Sequence, residues 1–428
     1  MQALLTIFIA FVAVECTQFR GNKVIRVTPQ NEEEVVHLKN LQSSKDIKIE
    51  FWSWPSHAGH PVDMHVTNED YKRLARYLSQ RGLTFTIQIF DVQNLVDREN
   101  APAARSGVSW YSKYHPLDEI YQELKTLATE YYRNGNVLVF TFGKSYRQKD
   151  QKGIMIKGKR RSNKPVFFMN CGIHAREWVS PATCMYIAKQ LLSRYGKDKD
   201  VTAILDKMDF VIVPVVNPDG YIHTWERYRF WRKTLRPNKN TWCVGTDPNR
   251  NWDFKWGAHD GQCLTTIWSR YSRIRVLIHC DDAYRGPHAF SEIETKNLAD
   301  YLKRLGSRLK GYMDIHAYSQ LWMIPWGYTK VPTKDHDELM RVSNIGASAI
   351  RNAGYNTQYT VGPSSVVIYE NSGASKDYTY GVLGIKYSFA LELRDKGAYG
   401  FLLPASQIIP TAMETFEGIK AVAKAMKV

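Results

Sequence analysis

Val166-Phe-Phe-Met-Asn-Cys-Gly-Ile-His-Ala-Arg-Glu-Trp-Val-Ser-Pro-Ala-Thr183, with Cys184 directly after, is the stretch on which the reading of this chain turns. Its first part, 166–170, is a short apolar run of the kind that forms a buried strand. Ser180-Pro181 reads as a helix start, a serine N-cap followed by proline at the first helical position. Between strand and helix stand His174 and Glu177, three residues apart. Two ligands at that spacing can meet one metal ion. A third from elsewhere would leave a position open for water, the arrangement of a catalytic zinc site.

The same alternation extends through the C-terminal three-quarters of the chain. Strand-like runs fall at 137–142, 154–157, 210–216, 312–316 and 386–393, and 411–426 reads as a final helix. The pattern is α/β, and its chemically loaded residues sit just after strands, where open α/β sheets place their sites. His316 ends one such run. Glu392 lies inside another, Phe389-Ala-Leu-Glu-Leu393, where a carboxylate costs free energy unless it is paired, metal-bound or shifted in pKa. A structurally satisfied buried glutamate is the alternative.

Residues 18–95 form a separate pattern. Strands are expected at 23–27, 46–51, 64–66 and 84–90. One helix starts at Asn31 with acids in its first turn, and another spans 68–80, capped by Asn68. The order βαββαβ indicates a small antiparallel α/β sandwich. Asn100-Ala-Pro-Ala-Ala-Arg-Ser-Gly107 then reads as an exposed linker that a trypsin-like protease could cut after Arg105, or as a plain interdomain connection.

The apolar run 3–14 is too short to span a bilayer and fits a secretory signal peptide over 1–16, against a buried first strand or helix. No later run is long enough for a membrane span. The net charge of +16 is scattered along the chain without the basic-aromatic array of a nucleic-acid binder, so neither nucleic acid nor membrane is expected as a partner. Of six cysteines, Cys16 would leave with the signal. Cys171 and Cys184 flank the ligand segment and could clamp it.

Several separate motifs resemble the metallocarboxypeptidases of the carboxypeptidase A/B family, from about residue 20 to the C-terminus. They are Gly172-Ile-His-Ala-Arg-Glu-Trp178, Trp231-Arg-Lys-Thr234, Thr246-Asp-Pro-Asn-Arg-Asn-Trp252, His316-Ala-Tyr-Ser-Gln320, Ile368-Tyr369, Gly384-Ile-Lys-Tyr-Ser388, Glu392-Leu-Arg-Asp395 and Tyr399-Gly-Phe-Leu-Leu-Pro404. The resemblance implies a mixed central sheet flanked by helices over 106–428, preceded by an activation pro-domain and linker over 17–105. It implies a secreted zymogen, monomeric, that is cut near Arg105 and then removes C-terminal residues from peptides and proteins.

It also implies roles. His174, Glu177 and His316 match the ligands of one Zn2+, and Glu392 the general base toward water. Arg232 matches the side chain that holds the oxyanion. Asn249, Arg250 and Tyr369 match the group that captures the substrate's terminal carboxylate, and Arg176 an outer-subsite arginine. The family pairs Cys171 with Cys184 and Cys243 with Cys280, which leaves Cys263 unpaired. Lys376 matches the base of the pocket for the C-terminal side chain, with Ser364 lining it. An ammonium there would favour C-terminal Glu or Asp. If Lys376 pairs instead with Asp377, aliphatic or aromatic residues are expected. A catalytically inactive binding protein of the same fold is a further alternative. The segment 261–280 departs from the family, as an insertion or as a gene-model artefact.

Overall fold

The computed structural model describes residues 17–99, 109–132, 136–159, 163–258 and 279–428. The expected signal segment 1–16, Arg105, Cys263 and nearly all of 261–280 lie outside them.

The N-terminal unit runs β1 (Lys23–Val27), α1 (Glu32–Asn40), β2 (Ile49–Phe51), β3 (Val62–Val66), α2 (Asn68–Ser79), β4 (Phe85–Ile89) and α3 (Val92–Glu99). Its sheet has the order β2-β3-β1-β4 with every pair antiparallel, as the βαββαβ pattern indicates. Asn31 caps α1, its side chain accepting from the Glu34 amide at 2.9 Å. The expected cap at Asn68 is corrected: Thr67 performs it, its hydroxyl accepting from the Asp70 amide at 3.2 Å. A cap side chain satisfies an amide two or three residues on from outside the helix, and Asn68 is already helical. α3, which carries the chain toward the linker, was not foreseen.

The second unit contains β5 (Val137–Lys144), β6 (Asp150–Ile156), β7 (Val166–Cys171), β8 (Asp209–Val213), β9 (Leu309–Ala317), β10 (Leu321–Ile324), β11 (Thr360–Pro363) and β12 (Tyr387–Leu393). They form one mixed sheet in the order β11-β10-β12-β9-β7-β8-β6-β5. Its centre, β12-β9-β7-β8, is parallel, and antiparallel pairings begin at β10 and β6. The helices are α4 (Leu117–Glu130), α5 (Val179–Arg194), α6 (Lys199–Lys207), α7 (Pro218–Glu226), α8 (Ile293–Leu305), α9 (His336–Arg351), α10 (Ser364–Val367), α11 (Ser375–Gly381) and α12 (Ile408–Ala425).

The central strands are buried on both faces, which is why 166–170 reads as an unbroken apolar run instead of alternating. Phe167, Met169 and Cys171 join a core with Ile187 of α5 and Phe416 of α12. Val166 and Phe168 join the opposite core with Leu298 and Leu302 of α8 and Tyr378 of α11.

Two features aim the end of β7. Gly172 follows it at φ +60°, where a Cβ would also lie 3.1 Å from the Pro214 carbonyl, so the turn into the ligand segment needs glycine. The expected Ser180 cap is also corrected. α5 begins at Val179 without a side-chain cap, and the Ser180 hydroxyl instead donates to the Ile315 carbonyl while accepting from the Gly172 amide. Ser180 thus ties the ligand turn to β9. Cys171–Cys184 closes the same loop, and Cys243–Cys280 also forms.

Phe167→Ala is expected to cost about 3–5 kcal/mol, the usual loss for emptying a fully buried aromatic site. Urea unfolding of the parent and variant measures it, and a loss below about 1 kcal/mol would contradict this account of the core.

Candidate active site

Sheet register assembles the site. β12 runs parallel to β9 with Glu392 paired to His316, and β7 runs parallel to β9 with Cys171 paired to Ile315. His174 and Glu177 follow directly from the end of β7. All three strands therefore deliver their chemistry at their C-terminal ends.

His174, Glu177 and His316 are buried, and one ligand atom from each lies within 4.8 Å of the others. His174 Nδ1 is 2.8 Å from Glu177 Oε1, and His316 Nδ1 is 3.1 Å from both Glu177 Oε2 and His174 Nδ1. The outer nitrogens face carboxylates: His174 Nε2 meets Asp247 Oδ1 at 3.0 Å and His316 Nε2 meets Asp314 Oδ2 at 2.9 Å. A carboxylate on Nε2 holds the proton there and turns the Nδ1 lone pair inward. Two inward lone pairs and a carboxylate make an all-acceptor cluster suited to a divalent cation. The N₂O donor set fits zinc. Electrostatics agree. Against the burial that pushes it up, the two imidazoles hold the Glu177 carboxyl well below its usual range. Burial pulls His316 down, yet Asp314 and Glu177 raise it well above the usual imidazole value, so positive charge is favoured at this point.

Asp247 and Asp314 are the functional residues the sequence reading passed over. Both are fully buried. Asp247 also takes Arg232 Nη2 at 2.8 Å, and Asp314 also takes the Ser375 hydroxyl at 2.5 Å and Asn170 Nδ2 at 2.6 Å. The signal for Asp314 was its place two residues before His316, on the same face of one strand. Asp247 sits inside the quoted Thr246-Asp-Pro motif.

His174, Glu177 and His316 line a cleft together with Arg232, Asn249, Arg250, Ser364, Tyr369, Lys376 and Glu392. Glu392 is half-buried. Burial pushes its carboxyl up to about 8, with Glu177 adding and His316 opposing, and a cation in the cluster would lower it. Arg232 Nη1 lies 3.8 Å from Glu177 Oε1, on the metal side. Arg250 Nη2 donates to the Tyr369 hydroxyl at 2.9 Å. Asn249 lines the cleft with its amide committed, Nδ2 donating to Asp314 and Oδ1 accepting from the Ser375 amide. Lys376, 3% exposed, reaches the cleft and also pairs with Asp377 at 3.1 Å. Ser364 lies beside it, accepting from Asn371 Nδ2 at 3.1 Å.

The N-terminal unit closes this cleft. Trp52, Ser53 and Trp54 are part of its wall. The Tyr318 hydroxyl donates to Asp63 at 2.6 Å, and Asp63 is held by Arg26. Arg176, the expected outer-subsite arginine, is buried under Glu50 at 2.7 Å. Glu99 at the end of α3 pairs with Arg229 at 2.9 Å.

Comparison with known proteins agrees with this arrangement. The family described as zinc carboxypeptidase matches residues 120–418, and the carboxypeptidase activation peptide matches residues 25–99. The chain is 38% identical to carboxypeptidase A2 of Rattus norvegicus over 410 residues, covering 94% of this chain and 93% of the relative. It is 36% identical to carboxypeptidase B of Homo sapiens over 429 residues, covering 98% and 97%. The crystal structure of thrombin activatable fibrinolysis inhibitor superposes with a TM-score of 0.83 at 34% identity, covering 96% of this chain and all of that one.

Asp314→Asn is expected to weaken retention of one zinc ion by about 10- to 100-fold, the usual effect of removing a ligand's supporting carboxylate. Competition with a chelator reads this directly. Retention equal to that of the parent would show that His316 needs no such orientation.

Proposed function

This chain belongs to the zinc carboxypeptidase family, a metallopeptidase made with an activation peptide, and on that premise we propose that its mature form releases C-terminal Glu, and more slowly Asp, from peptides. The observation that carries the acidic preference is Lys376, a buried lysine that lines the same cleft as Glu392 and the Arg250–Tyr369 pair.

The residues divide the work. His174, Glu177 and His316 hold one Zn2+, which when bound supplies Lewis acidity and lowers the pKa of water toward roughly 7. Arg250 presents a planar fork to the substrate's terminal carboxylate, with the Tyr369 hydroxyl beside it. Asn249 supports both ends by holding Asp314 and the start of α11. Glu392 takes a proton from the attacking water and returns it to the leaving amine. Arg232, fixed by Asp247, donates to the oxyanion as it develops.

Lys376 takes the side-chain carboxylate of the terminal residue. Asp377 positions it, being itself anchored by the Gly327 and Tyr328 amides at 2.8–3.1 Å. A Cβ at Gly327 would lie 2.7 Å from Lys376 Nζ, so glycine is what leaves room for the ammonium. Ser364 and Asn371 add polar contacts. A second reading, preference for aliphatic or aromatic residues, is supported by the Lys376–Asp377 pair itself together with Met323, Ile368 and Ala390 in the wall.

The protein is secreted behind a signal peptide over 1–16 and acts as a monomer. Residues 17–105 form the pro-domain and linker, removed by a trypsin-like cut after Arg105, and 106–428 form the catalytic domain. No helix of the described residues is long and apolar enough to cross a membrane.

Trypsin-activated protein given matched peptides ending in Glu, Phe or Arg should release Glu fastest, and a chelator should stop it. Lys376→Ile should transfer the preference to Phe. Phe release without Glu release would favour the second reading. Glu392→Gln should lower kcat by roughly 10²–10⁴-fold while substrate is still bound, as expected for loss of a general base. An undiminished kcat would remove Glu392 from that role.

A further inference from the structure

A second groove lies toward the opposite edge of the large sheet from the cleft. The catalytic groups come from β7, β9 and β12, whereas β6 and β5 end the strand order beyond β8. α4 and the β5–β6 hairpin form the groove between them. Four lysines, Lys125, Lys144, Lys149 and Lys152, line it against two acids, Asp118 and Asp150. Asp150 is already matched, with Lys144 at 2.9 Å and Lys152 at 2.8 Å. Lys125 and Lys149 are exposed and enter no ion pair among the described residues. Arg147 is exposed on the same turn, and Gln122 and Gln148 add carboxamides to the wall. The turn that carries this charge is fixed from beneath by Asp219 and Glu294, buried acids that the reaction does not use. Asp219 accepts from the Ser145 hydroxyl at 2.5 Å and the Arg147 amide at 2.8 Å, and Glu294 accepts from the Tyr146 amide at 2.9 Å. Asn297 Nδ2 donates to the Lys144 carbonyl at 2.9 Å. The backbone under Lys144 and Lys149 therefore needs no ordering when a ligand arrives, a cost that a loose loop would carry.

We propose that this groove binds a sulfated polysaccharide and so tethers the enzyme to an anionic matrix while the cleft stays open. Sulfate groups repeated along a sugar chain match several fixed ammonium groups at once, and the carboxamides of Gln122 and Gln148 suit sugar hydroxyls. The lining argues against the other polyanions. A nucleic acid would look for ring faces on which to stack its bases. The aromatic residue here, Tyr121, is buried, with Lys152 over its ring at 5.7 Å and its hydroxyl donating to the Asp150 carbonyl at 2.6 Å. An anionic membrane would be met by apolar side chains along with the charge, and Leu117, the aliphatic member of the wall, is buried. Every residue of the groove lies after Arg105, so the site is common to the zymogen and the activated enzyme. It is independent of the Lys376 reading.

The test measures binding of heparin to the full-length zymogen and to the trypsin-activated enzyme at several salt concentrations. Both should stay on immobilised heparin at physiological ionic strength, about 0.15 M, and elution below that overturns the proposal. Replacing Lys125 and Lys149 together by alanine should weaken binding roughly tenfold and flatten the dependence of log affinity on log salt by about one to two, since each lost contact returns counterions to the chain. Lys330→Ala with Lys334→Ala removes the same charge from exposed positions past β10, toward the other edge of the sheet, and should change affinity less than twofold. Equal losses in the two double variants would mean that net charge alone is being read, and overturn the site. Heparin stripped of its sulfates should bind at least roughly tenfold more weakly, and undiminished binding overturns the choice of sulfated ligand. Saturating heparin should leave kcat/KM for a short peptide unchanged. Inhibition competitive with that peptide would put the polyanion in the catalytic cleft and overturn the assignment to this groove.

Discussion

Buried charge is the constraint on which the catalytic half depends. Glu177, Asp247 and Asp314 lie in the interior, with Glu392 at its edge, and each would cost several kcal/mol if left alone. None is alone. Asp247 is shared by His174 and Arg232, and Asp314 by His316, Ser375, Asn249 and Asn170. Removing one member strands the others, so the ligands, their supporting aspartates and the oxyanion arginine behave as one network. The parallel register of β7, β9 and β12 makes the network possible, because it brings His174, Glu177, Asp314, His316 and Glu392 to one end of the sheet.

Legibility followed the physics of each signal. β7, β9 and β12 were readable because a strand buried on both faces is a continuous apolar run, and a charge inside such a run is conspicuous. That exposed Glu392 and His316. Asp314 carried the same signal and was passed over, since its role appears only when the register shows which imidazole it faces. β10 and β11 were not foreseen. Leu321–Ile324 and Thr360–Pro363 are four residues each, too short for periodicity to register. The two misplaced caps have a common cause. Thr67 and Asn68 are both good capping residues, and Ser180 is another, so composition cannot choose among them. The backbone amide that needs satisfying does, and Ser180 was taken by a carbonyl on β9.

The N-terminal unit holds its position by supplying what the catalytic unit lacks. Trp52 packs against Phe230 and Phe401 with centroid distances of 5.0 and 5.2 Å, covering aromatic surface that would otherwise face water. Around that apolar centre, Asp63 meets Tyr318, Glu50 meets Arg176 and Glu99 meets Arg229. At these three contacts the acid comes from the N-terminal unit and the donor from the catalytic unit.

The Lys376–Asp377 pair is a further buried charge, within the catalytic unit. An unpaired ammonium at the base of a closed pocket would cost several kcal/mol, and Asp377 offsets it. The offset need not cancel recognition. An ammonium has three donors, and Asp377 occupies one of them while its own oxygens also accept from the Gly327 and Tyr328 amides. Asp377 is therefore less able to repel an incoming carboxylate than its formal charge suggests, because backbone amides already satisfy much of it. The proposed preference for acids is therefore compatible with a buried ion pair at Lys376.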